Sequence, residues 1–308
     1  MCGLVLIGCA KTDQASDTSK PAGAATPAAS PTTATKVGET DGMKTPESVR
    51  YDPELDVFYV SNINGNPSQH DGNGFIAVVR ADSMAAATKI LVQGGKNGAK
   101  LDAPKGLALV GDTLWVADIN HVRAFNRRTG APIADIDLSA QKAMFLNDVA
   151  VDGAGAVYVT DTGITIDAKG AMSHSGVDQI FKITGRTAVA LRPDSLDAPN
   201  GIAWDSTSGR FILGPSNGKA VQTWKEGDKA TTPLVTGPGQ YDGVEVLADG
   251  RILVTSWADS AVHIIQNGEL TTLVPNVSGP ADIGVDTKRN IVAIPRLTDN
   301  KIDYYKIP

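Results

Sequence analysis

One short pattern recurs six times along these 308 residues, as PESVRYD, PKGLALV, LNDVAVD, PNGIAWD, YDGVEVL and PADIGVD. After a short turn each copy is followed by an apolar, β-prone run: VFYVSN, TLWVADI, AVYVTDT, RFILGPS, RILVTSW and NIVAIPR. One position of the pattern reads Glu47, Lys105, Asn147, Asn200, Asp242 and Ala281, with spacings of 58, 42, 53, 42 and 39 residues. Strand-rich repeats of roughly 40–50 residues predict a β-propeller. The expected fold is therefore all-β, with six blades. Symmetry brings the marked position of every blade to one ring, and that ring holds two carboxylates and two carboxamides.

Turn signals such as D-G-A-G at 152–155, A-D-G at 248–250 and N-G at 267–268 place four strands in each of the first five blades. Blade 6 has only three, near 281–286, 290–295 and 301–307, before the chain stops. An open edge there is a liability. The segment TKVGET, residues 35–40, is the natural donor of the fourth strand, which joins the two ends of the chain. Two connections are long, 62–73 and 162–176; both are Gly-rich and polar and are expected to overhang one mouth of the channel.

The expected organisation is a signal segment over 1–9, a tether over 10–36 and a propeller over 37–308. The opening MCGLVLIGCAK resembles a bacterial lipoprotein signal with Cys9 as the lipidated residue, although the usual basic start is missing. The Ala/Ser/Thr/Pro-rich stretch after it has too few bulky apolar residues to offset the entropy of ordering. These features imply an exported, periplasmic or cell-envelope lipoprotein whose only membrane contact is an N-terminal lipid. Both cysteines, Cys2 and Cys9, precede the repeats, so no disulfide staples the propeller. A net charge of -6 argues against a nucleic-acid partner. A closed ring leaves few free edges, which makes a monomer the expected state.

Glu47, Asn147, Asn200 and Asp242 offer only oxygen donors. Hard oxygens with two negative charges suit Ca²⁺ first, with Mg²⁺, Mn²⁺ or Zn²⁺ as alternatives; no Cys or His in the ring favours zinc by softness. Lys105 allows several roles: pairing with Asp242, repelling the cation, binding a substrate carboxylate, stabilising an oxyanion, or forming a channel salt bridge. His70, His121 and His174 lie on or beside loops, as solvated side chains or proton shuttles; His263 falls in an outer strand and is expected to be structural. No Gly-x-Ser-x-Gly elbow or Walker loop is present.

The strings FLNDVAVDGAGAVYVTD, PNGIAWDSTSGRFIL and YDGVEVLADGRILVTSW resemble the gluconolactonase/regucalcin family of six-bladed propellers. The resemblance covers most of 45–308, and is more distant to diisopropyl fluorophosphatase, the paraoxonases and NHL-repeat propellers. It implies a divalent metal held by Glu47, Asn200 and Asp242, with Asn147 touching substrate or metal. It also implies that Asp242 is the general base or nucleophile. Ser-Val-Arg after Glu47 and Lys105 in blade 2 depart from the family pattern. The expected activity is metal-dependent hydrolysis of lactones or related esters, with Asn147 and Lys105 as substrate contacts. The alternative is a non-catalytic, NHL-like propeller that binds a ligand or protein.

Overall fold

Six four-stranded antiparallel sheets follow one another along the chain, and a seventh sheet is a small hairpin. The computed structural model describes residues 33–174 and 176–308. The lipidation site expected at Cys9, the signal segment and most of the expected tether lie outside the described residues.

Blade 1 comprises strands Pro46–Asp52, Val57–Asn62, Phe75–Arg80 and Lys89–Gln93. Blades 2 to 5 repeat this order, with inner strands Pro104–Val110, Leu146–Val151, Pro199–Asp205 and Tyr241–Val246. Blade 6 takes Gly284–Asp286, Ile291–Arg296 and Lys301–Lys306, and its outermost strand is Thr35–Thr40 from the other end of the chain. The expected donor strand thus closes the ring. It pairs antiparallel with Lys301–Lys306, Thr40 opposite Ile302 and Thr35 opposite Lys306. Among the described residues, Ala34 N–H also donates to the Leu273 carbonyl at 3.2 Å.

Six apolar clusters fill the six seams between neighbouring blades. Phe58, Val60 and Tyr304 pack the seam of blades 1 and 6, Leu107 and Phe125 with Tyr59 that of blades 1 and 2, and Phe211 and Trp224 with Tyr158 that of blades 3 and 4. The second strand of each blade is buried on both faces, which is why VFYVSN, RFILGPS and NIVAIPR read as nearly continuous apolar runs rather than clean alternation. Close approach of inner strands explains the glycine after the marked residue. A Cβ on Gly201 would lie 2.0 Å from the Asp242 carbonyl oxygen, and one on Gly243 2.5 Å from the Ile283 nitrogen.

Two expectations need correction. The 162–176 connection is not a plain loop, because Ile164–Ile166 pairs with Met172–His174. The inner strand of blade 6 is three residues long, not six. Its first part pairs instead with blade 1: Asp282 N–H donates to Glu47 O at 2.8 Å and Val49 N–H to Asp282 O at 3.2 Å. Among the described residues no helix is long and apolar enough to cross a membrane.

Candidate metal and active site

A β-bulge sets each of the first five marked residues apart from its strand. The pairing of inner and second strands slips between Pro46 and Val49, Pro104 and Leu107, Leu146 and Val149, Pro199 and Gly201, and Tyr241 and Val244. Glu47, Lys105, Asn147, Asn200 and Asp242 fall inside these slips. A bulge frees one residue from the ladder and re-aims its side chain. A hydroxyl on the second strand then takes up the loosened N–H of the next residue. Ser61 Oγ accepts from Ser48 at 2.8 Å, Thr160 Oγ1 from Asp148 at 2.9 Å and Thr255 Oγ1 from Gly243 at 2.7 Å.

The result is four buried oxygens with no hydrogen-bond donor: Glu47 Oε2, Asn147 Oδ1, Asn200 Oδ1 and Asp242 Oδ1. The amides are oriented by their nitrogens. Asn147 Nδ2 donates to Thr162 Oγ1 at 2.9 Å, and Asn200 Nδ2 to the Tyr241 carbonyl at 3.2 Å. Each carbonyl oxygen is therefore left over. Leaving a buried acceptor unsatisfied costs about 1–3 kcal/mol, so four at one repeat-equivalent position call for a common partner. Two carboxylates and two amide oxygens, all hard, fit a cation such as Ca²⁺. Among the described residues no group of three His, Cys, Asp or Glu side chains is placed to hold a metal ion, so the two amides are needed for this donor set.

Electrostatics link the residues across blades. Burial raises the Glu47 carboxyl well above its ordinary value; the charges of Asp242 and Asp282 add to this and Lys105 opposes it. Burial pushes Asp242 up to about 7, against the hydrogen bond from Trp257. Repulsion between carboxylates that share a dry channel is what a bound cation would relieve.

Lys105 is buried, and of the roles open to it the salt bridge does not form among the described residues. Its Nζ donates to Ala103 O at 3.2 Å and stands 4.2 Å from the centroid of the Phe145 ring. Burial lowers its ammonium to about 8, with the Glu47 charge the main opposing influence. The histidines are each held by a local aspartate outside the ring: His70 by Asp102, His121 by Asp135, His174 by Asp178 and His263 by Asp259.

Three features were missed by the sequence reading. Asp282 follows Ala281 and supplies blade 6 with a carboxylate one residue deeper; its Oδ2 accepts from Ser48 Oγ, and its Oδ1 is buried without a donor. Deeper still, Arg50 of blade 1 and Glu245 of blade 5 form an ion pair that floors a cavity of about 320 Å³. At the mouth, the two long connections bond to each other: Asn66 Nδ2 donates to Asp167 O at 2.8 Å and Ile166 N–H to Ser68 Oγ at 3.0 Å. The repeat could have exposed them, because the column of Asp282 reads Ser48, Gly106, Asp148, Gly201 and Gly243 in the other blades, and the column of Arg50 and Glu245 otherwise carries only Ala or Gly.

The family model of the SMP-30/gluconolactonase/LRE-like region matches residues 45–283, which carry the inner strands of the first five blades. The chain belongs to this family. Among solved structures, this SMP-30/gluconolactonase-like chain is similar to the gluconolactonase XC5397 of Xanthomonas campestris, with TM-score 0.65 and 16% identity over 94% of this chain and 99% of that one. It is similar to a candidate gluconolactonase with TM-score 0.65 and 16% identity over 89% and 92% of the two chains. It is also similar to an inactive variant of virginiamycin B lyase from Staphylococcus aureus, with TM-score 0.58 and 12% identity over 88% and 99%. At these identities the structural likeness establishes the six-bladed fold. No curated protein matches the sequence.

Proposed function

We propose that this propeller is a divalent-cation-dependent hydrolase of lactones or related esters. The observation that carries the reading is the set of four buried, donor-less oxygens on Glu47, Asn147, Asn200 and Asp242 in a member of the gluconolactonase-containing family. These four residues would hold the cation, with Ca²⁺ the best match to their hardness and charge. When bound, such an ion supplies Lewis acidity toward a substrate carbonyl.

The remaining chemistry belongs to the chain. Asp242 has one carboxylate oxygen fixed by Trp257 and the other at the proposed cation site, and from there the carboxylate would take a proton from an attacking water or attack the carbonyl carbon itself. Asn147 orients the substrate beside the ring. The Lys105 ammonium offers a contact for a negative group on the substrate or for the developing oxyanion.

A panel of lactones, aryl esters and organophosphates, assayed with and without chelator, tests the proposal. Lactone hydrolysis that stops on chelation, and is absent from Asp242→Ala, is the expected result. Hydrolysis that survives chelation contradicts it, and tight ligand binding without turnover would favour the binding-propeller alternative. The same reading makes the protein an exported monomer tethered by a lipid on Cys9. Replacing Cys9→Ser should then move it from the membrane fraction to the soluble one.

A further inference from the structure

We infer that Trp257 is a positioning residue for Asp242 and, through its exposed face, the surface against which a cyclic ester stacks. The second half rests on the hydrolase reading; the first does not.

Trp257 directly follows the second strand of blade 5, Ile252–Ser256. Its backbone is tied to the residues that lead into Asp242. Trp257 N–H donates to Gln240 O at 3.0 Å, and Ser256 Oγ donates to Gly239 O at 2.8 Å. The side chain then closes the loop, with indole Nε1 donating to Asp242 Oδ2 at 2.8 Å. One carboxylate oxygen is thus occupied by a donor that has no acceptor function of its own. Rotation of the carboxylate is blocked, and Oδ1 is the oxygen left without a donor. A ligand or base held this way is pre-organised by a neighbour that also excludes water from one side.

The indole is not enclosed. Trp257 is 38% exposed, while Asp242 beneath it is 6% exposed. Among the described residues it is the only aromatic among the exposed large hydrophobic side chains. Trp224 is buried, and Trp115 and Trp204 pack against seam clusters. An aromatic whose polar edge grips the reactive carboxylate and which stays partly open to solvent is placed to take the flat C–H face of a ring. A lactone ring presents such a face beside its carbonyl; an open-chain ester does not.

Two variants separate the roles. Trp257→Phe keeps the aromatic face and loses the N–H, whereas Trp257→Ala loses both. Trp257→Phe is expected to lower kcat for δ-valerolactone at least tenfold with KM nearly unchanged. Trp257→Ala is expected to raise KM for that lactone as well, by about three- to tenfold for a lost stacking contact, and to leave KM for open-chain ethyl acetate unchanged. δ-Valerolactam, which keeps the ring and carbonyl but resists hydrolysis, should quench the tryptophan emission of the native protein and not that of Trp257→Phe.

A readout free of turnover decides the tether. The four tryptophans give four indole N–H signals in ¹⁵N-labelled protein. The signal deleted by Trp257→Phe should be the one that Asp242→Asn shifts. If that signal stays put, or if Trp257→Phe hydrolyses lactone like the native protein, the positioning role is wrong. If lactam quenching persists in Trp257→Phe, the stacking role is wrong. If the native protein hydrolyses nothing, the hydrolase reading fails while the indole signal still decides the tether and the lactam still decides the platform.

Discussion

Arg50 Nη1 of blade 1 donates to Glu245 Oε1 of blade 5 inside the channel, while its Nε donates to the Leu107 carbonyl at 2.8 Å. The aligned residues of the other blades are Ala108, Ala150, Ala203 and Gly284, which leave room for the pair. Burial pushes Glu245 up and Arg50 holds it down. Arg50→Met should therefore strand a carboxylate and cost about 2–3 kcal/mol, discounted from a fully buried pair because both groups keep some solvent access. The double change Arg50→Met with Glu245→Met should recover most of the loss. Urea unfolding of the four proteins measures the coupling, and strictly additive losses would contradict it.

The closing strand should matter for stability in proportion to what it pairs. Thr35–Thr40 pairs along Lys301–Lys306 with one register shift between Lys36 and Gly38, and Thr40 Oγ1 lies 3.0 Å from Tyr304 OH. Lys36 Nζ also reaches Asp303 Oδ1 at 2.9 Å. Deleting residues 34–42 exposes that edge and is expected to cost about 4 kcal/mol, counting each lost hydrogen bond at roughly 1 kcal/mol. The melting temperature should fall by about 8–16 °C. Calorimetry that finds a loss of only a degree or two would show that blade 6 stands with three strands.

The blade count, the ring closure and the four oxygen-bearing residues could all be read from the sequence because each is a repeat property. Symmetry gives one aligned column one equivalent place in every blade, so Glu47, Asn147, Asn200 and Asp242 could be proposed as a group before any coordinate was known. What escaped lies where symmetry is broken. Asp282 sits one residue past the marked column, where the other blades read Ser48, Gly106, Asp148, Gly201 and Gly243 and only blade 3 shares its carboxylate. Trp257 belongs to a connection after the second strand, where the blades share no pattern. The hairpin of Ile164–Ile166 and Met172–His174 is only three pairs long and rich in polar residues, so its period-2 signal is too short to see. The salt bridge considered for Lys105 failed because its neighbours turned out to be a carbonyl and an aromatic ring.

The pH dependence of stability should reverse on adding cation. Asp242 is pushed up to about 7 from its ordinary 3.8, and Glu47 is raised above 4.5. A folded-state value above the unfolded one means that the folded protein keeps a proton the unfolded chain has lost. The associated stability is complete below about pH 4 and declines as the pH rises through about 7. A cation binds the deprotonated carboxylates, so its contribution grows over the same range. In chelator the melting temperature should fall from pH 5 to pH 8. Millimolar Ca²⁺ should raise it, and by more at pH 8 than at pH 5. Equal gains at both values would separate the cation from these carboxyls.

Lys105 is the one positive side chain at the marked position, and it can be removed without changing much volume. Its ammonium is held at about 8 by burial, with Glu47 as the main opposing charge. It therefore stands near the carboxylates proposed to hold the cation and repels that cation. Lys105→Met keeps the packing on Phe145, because an unbranched thioether fills similar space. At an effective dielectric of about 20, like charges in one channel repel by about 1–4 kcal/mol, and a divalent ion feels more. Ca²⁺ affinity should then rise at least tenfold, as measured by calorimetric titration. The same change should lower kcat/KM for a carboxylate-bearing lactone several-fold more than for neutral δ-valerolactone. Tighter Ca²⁺ binding with no change in lactone preference would confine Lys105 to electrostatics. Unchanged Ca²⁺ binding would place its charge out of reach of the proposed cation.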